Sequence, residues 1–87
     1  PATDATYSVK VWSPNPNQLQ IKIYTEKAQK AAIILYTETG QQVVLQQQQL
    51  AAGVNSFTMS VAHLSSSTYI LSVNAEQFKD AQKVKVK

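Results

Sequence analysis

At 87 residues and with no cysteine, the chain has room for one small core that must hold by packing alone, without disulfides and without the thiolates of a soft metal site. Its net charge of +3 comes from eight lysines against five acids with no arginine, so it lacks the bidentate guanidinium forks of nucleic-acid readers and, away from its end, has few clustered cations. No run of about 18 apolar residues is present to span a bilayer as a transmembrane segment, and the first residues carry neither the basic nor the apolar region of a signal peptide.

Residues 1–6 read as a linker remnant, and a chain that begins at Pro1 rather than methionine reads as a piece of a larger parent, with residues 1–87 forming a single domain. Beyond them, period-two alternation predicts strands. Tyr7, Val9 and Val11 alternate with Ser8, Lys10 and Trp12; Leu19, Ile21 and Ile23 alternate with Gln20, Lys22 and Tyr24. Between them stands Pro14, Asn15 and Pro16. Each proline lacks an amide hydrogen and pushes its predecessor out of the helical region, so the expectation is a crossing between sheets rather than a pairing of the flanking strands.

The third strand, from Ala31 to Thr37, is nearly continuous in apolar residues and is predicted to be central and covered on both faces. Gly40 supplies a positive φ to the turn that follows, and Val43 to Gln48 return to complete a hairpin. A turn at Gly53 leads into a fifth strand ending at Val61, on which Phe57, Met59 and Val61 share a face. Leu64 anchors the serine loop before Tyr69, Leu71 and Val73 of the sixth strand. The seventh, from Ala81 to Val86, turns Val84 and Val86 inward and Lys83, Lys85 and Lys87 outward, with Phe78 covering the preceding loop. Helix is tolerated only in residues 26–32 and, as a single turn, in residues 75–80. Seven short strands at this spacing predict an all-β fold, a seven-stranded antiparallel immunoglobulin-like β-sandwich.

Little in the chain supports catalysis. His63 is the only histidine and cannot complete a zinc site, and its hydroxyl neighbours Ser60 and Ser65 lie in no nucleophile motif. Asp4, Glu26, Glu38, Glu76 and Asp80 are scattered over termini and turns, with no spacing that pairs two carboxylates or builds a calcium loop. No cofactor, metal or nucleic acid is implied. Gln46 to Gln49 read as the solvated end of an edge strand. Trp12, Tyr24 and Tyr36 would form a sugar-binding platform if they shared an exposed face, but their positions do not coincide on the pattern, and Trp12 is expected to pack beneath the proline turn. The terminal alternation of Lys83, Val84, Lys85, Val86 and Lys87 reads two compatible ways: an edge strand whose lysines block aggregation, and a docking strand that a receptor extends by β-augmentation.

Taken together, the PNP turn (Pro14, Asn15, Pro16), the hairpin Gly40, the Gly53 and Asn55 pair, Leu64, Tyr69 and the closing KVKVK resemble, in order and spacing, the C-terminal sorting domains of the type IX secretion system of Bacteroidetes. One position departs: Ser67 stands where that family places a glycine two residues before the tyrosine, which puts the turn before the sixth strand in question because serine tolerates positive φ poorly. The resemblance implies a non-enzymatic address label for an upstream, covalently linked cargo. The parent would enter the periplasm by its own signal peptide, and outer-membrane translocon, shuttle protein and sortase would be partners. The product would be released or attached at the cell surface, with residues 83–87 making the main contact. The competing reading is a non-catalytic immunoglobulin-like or fibronectin-type-III-like accessory or carbohydrate-binding module of a secreted hydrolase.

Overall fold

The computed structural model describes residues 7–86; the expectations for residues 1–6 and for Lys87 lie outside the described residues. Seven strands follow in order: β1 (Tyr7–Asn15), β2 (Gln18–Thr25), β3 (Gln29–Thr37), β4 (Gln42–Leu50), β5 (Gly53–Ser60), β6 (Ser67–Ala75) and β7 (Lys79–Val86). They divide into a three-stranded sheet, β1-β2-β5, and a four-stranded sheet, β4-β3-β6-β7, with every pairing antiparallel.

Alternation places one set of side chains between the sheets. Leu19, Ile21 and Ile23 of β2 meet Ile33 and Leu35 of β3 and Leu71 and Val73 of β6 in one core, all fully buried. Each such side chain contributes about 1.5–3 kcal/mol when withdrawn from water, and without a cysteine this burial is the main support of the fold. Val84 and Val86 of β7 belong to the same cluster.

The proline turn corrects the first expectation. β1 and β2 do not cross between sheets but pair as a hairpin, from Tyr7 opposite Thr25 to Asn15 opposite Gln18. A register irregularity between Trp12 and Asn15 accommodates Pro14, where a missing amide hydrogen costs no ladder bond. Asn15 then closes the turn with its own side chain, its Oδ1 accepting from the Asn17 amide at 2.9 Å. The crossings fall elsewhere, at residues 26–28, 51–52 and 61–66.

Strand β3 is central, flanked by β4 and β6, but it is covered on one face only. Ile33 and Leu35 are buried while Ile34 and Tyr36 on the other face are half-buried. The segments given as helix-tolerant are not helical. Residues 26–28 are the crossing into β3, and residues 76–78 form a hairpin turn in which the Ala75 amide donates to the Phe78 carbonyl at 2.9 Å.

Candidate functional site: the last strand and the residues that seat it

Strand β7 is an edge of the larger sheet, and among the described residues β6 is its one ladder partner. Its register sets Lys83 opposite Ile70, Val84 opposite Tyr69, Lys85 opposite Thr68 and Val86 opposite Ser67. Val84 and Val86 therefore point into the core, at 7% and 0% exposure, while Lys83 and Lys85 project from the outer face. On that face Ile70 lies between Lys83 and Tyr36, since it pairs with both. Lys83 thus borders a half-buried apolar row, while Lys85 stands beside Thr68.

Among the described residues, the outer edge of β7 is held at its beginning. The Tyr7 ring stacks on Phe78 with centroids 4.3 Å apart and planes 7° from parallel, and the Tyr7 hydroxyl donates to the Lys79 carbonyl at 3.4 Å. Further along, Gln82 Nε2 donates to the Val9 carbonyl and to Asp80 Oδ2, both at 2.9 Å. These side-chain ties join β1 to the first half of β7, and no strand pairing connects the two among the described residues. The second half keeps a row of backbone groups that another strand could pair with.

Except for Tyr69, which stands opposite Val84, the marker residues lie away from β7, on turns and crossings. Gly40 and Gly53 adopt φ of 96° and 105°, a region that costs a residue with a Cβ, and no atom lies near enough to crowd a Cβ at either position. Asn55 closes the β4–β5 crossing: its Oδ1 accepts from the Ala51 amide and its Nδ2 donates to the Ala51 carbonyl, both at 2.9 Å, with a further donation to Ile23 O at 3.3 Å. Leu64 packs against the core, its amide bonded to the Val61 carbonyl at 3.0 Å. Tyr69, buried on β6, donates its hydroxyl to the Ser65 carbonyl at 2.9 Å and so fixes the entry to the strand that carries β7. Ser67 already lies in β6, and no residue other than glycine has a positive φ among those described, so the serine needs no strained backbone.

Sequence reasoning missed one buried polar lock. Gln29, 4% exposed, donates from Nε2 to Thr25 Oγ1 at 2.8 Å and accepts from the Gln77 amide at Oε1, also at 2.8 Å. It ties the β2–β3 crossing to the β6–β7 turn. The available signal was the polar residue in inward phase with Ala31, Ile33 and Leu35 on β3.

Trp12 is a second correction: it is 45% exposed and does not pack under the proline turn. Val9 and Val11 take the inward phase of β1, so Trp12 must point out. Tyr24 shares this outer face of the smaller sheet, whereas Tyr36 lies on the outer face of the other one.

Among the described residues no group of three or more His, Cys, Asp or Glu side chains is placed to hold a metal, and no helix is long and apolar enough to cross a membrane. The arrangement offers instead an edge strand with a cationic outer row, seated by turns of defined geometry.

Comparison with known proteins gives the chain a family. Residues 10–87 match the family described as the secretion system C-terminal sorting domain, and the chain belongs to it. It is thus a type IX sorting signal, of a family that is not catalytic, and it implies export to the cell surface or extracellular space through interaction with the type IX machinery. No curated protein sequence matches the chain. Among solved structures it is similar to a GH3 β-glucosidase of Bifidobacterium adolescentis at 11% identity and a TM-score of 0.50, over 94% of this chain but 17% of the glucosidase, which is a likeness of fold alone.

Proposed function

We propose that the chain is read by the type IX machinery at its last strand, with Lys83, Lys85 and Lys87 as the side chains recognised and the outer edge of β7 as the backbone that a receptor strand extends. The observation that carries this reading is the position of β7. It is an edge strand of a sorting-domain family member, with its valines in the core and its lysines displayed. Gly40, Gly53, Asn55, Leu64 and Tyr69, with the Pro14, Asn15 and Pro16 turn, act indirectly by holding the two sheets in the arrangement that presents that strand.

On this reading residues 1–87 are one domain at the end of a cargo protein, joined to it through residues 1–6. The cargo crosses the periplasm, passes the translocon with the help of a shuttle protein, and is released or attached at the surface after a sortase acts near the junction. The sandwich itself is immunoglobulin-like. Two features support that: crossings between consecutive hairpins, and Tyr69, near the start of its strand, bonding back to a carbonyl four residues upstream in the manner of a tyrosine corner. The partition differs from the constant-type sandwich in that β4 pairs with β3 instead of β5.

Because Val84 and Val86 are core residues, deletion of residues 83–87 would remove packing and recognition together. The discriminating experiment is export of a reporter carrying a signal peptide and this domain in a type IX-competent bacterium, with Lys83, Lys85 and Lys87 all changed to Ser. We expect the reporter to be retained in the periplasm with the domain folded. Unchanged export of the triple variant would remove the lysines from the recognition site.

A further inference from the structure

We propose that the outer face of the three-stranded sheet binds acidic saccharides, a site separate from the β7 strand. None of β1, β2 and β5 contains an acidic residue, so their outer face is positive and without a counter-charge of its own. At its centre Lys10 of β1 stands directly opposite Lys22 of β2. Like charges in facing positions of a sheet oppose folding, so the arrangement is poor for stability and good for an anion placed between the two ammonium groups.

Aromatic side chains lie on either side of that pair. Trp12, one row beyond Lys10, is 45% exposed, and Tyr24, one row beyond Lys22 in the other direction, is 38% exposed. With two residues per row at about 3.3 Å each, the rings stand roughly 13 Å apart along the strands, the reach of a short oligosaccharide. Ser8, Lys10, Lys22, Tyr24 and Val54 line a shallow depression of about 200 Å³ on the Tyr24 side of the lysine pair. The sequence of ring, cation pair and ring matches a chain of pyranoses that stacks its C–H faces at both ends and carries a carboxylate in the middle. A single-stranded nucleic acid has the same broad chemistry, and the absence of arginine does not separate the two, because the guanidinium fork suits carboxylate and phosphate alike. Export to the surface or beyond places this face among glycans instead.

Trp12 is the only tryptophan, so its fluorescence reports on this face alone. Titration with an oligogalacturonide should change the emission saturably, less at higher salt, while a neutral malto-oligosaccharide should not. The Lys10→Ser/Lys22→Ser variant, checked for folding by its melting curve, should bind at least tenfold more weakly. Trp12→Ala should show a similar loss by calorimetry. No saturable response at millimolar oligogalacturonide, binding unaltered in the folded lysine variant, equal binding of the neutral sugar, or tighter binding of a single-stranded oligonucleotide would each overturn the proposal. None of these outcomes depends on export, so the site stands or falls apart from the reading of β7.

Discussion

Single side chains at the crossings carry much of the specificity of this fold. Asn55 satisfies both the amide and the carbonyl of Ala51 and also reaches Ile23, work that neither a hydroxyl nor a carboxylate can reproduce. Asn55→Ala is therefore expected to lower stability by about 1–2 kcal/mol in urea unfolding, the cost of losing a partner that several backbone groups share. Asn55→Asp should recover only part of this, since it restores the acceptor and not the donors. At Gly53 the cost is backbone alone: with open space around an added Cβ, Gly53→Ala should cost about 1–2 kcal/mol through its φ of 105°. Both positions were legible in the sequence because glycine and asparagine advertise turn geometry directly. Gln29 was not, because nothing in its type distinguishes a buried glutamine with three partners from a solvated one; only its phase on β3 hinted at burial.

At the level of the element, β7 shows how one strand serves packing and display in alternate residues. Val86 is fully buried, and Val86→Ala should cost about 2 kcal/mol as its methyls leave the core. Lys83 and Lys85 are exposed, and changing both to Ser should shift stability by no more than about 0.5 kcal/mol. Chemical denaturation of the two variants separates the roles before any export assay is run, and a large loss from the lysine changes would mean that they brace the sheet. This alternation was readable because a period of two is a property of the chain itself. The partner of each strand was not. Pro14 and Pro16 forbid ladder donors at their own positions, which suggested a crossing, yet a hairpin with a bulge meets the same constraint. Trp12 was misplaced for a related reason: its bulk suggested burial, while the phase set by Val9 and Val11 required exposure.

Over the whole molecule, the split into three and four strands leaves β2, β3 and β6 flanked on both sides and β1, β4, β5 and β7 at edges. Periodicity marks which face of a strand is buried and says nothing of which edge is free, so this distribution is learned only from the fold. It has a measurable consequence in amide hydrogen exchange, where local opening follows the loss of few contacts and core strands open only with the whole domain. The slowest amides should lie in β2, β3 and β6, around Ile21, Ile33 and Leu71, at rates that report global unfolding. In the second half of β7, amides directed at β6 should be protected and those directed outward should exchange almost freely, because the ties from Tyr7 and Gln82 end before Lys83. That alternation is what strand addition by a receptor requires, since a pairing strand needs donors and acceptors that are not already engaged. Uniform protection along residues 83–86 would show the edge to be covered, and would leave recognition to the lysine side chains alone.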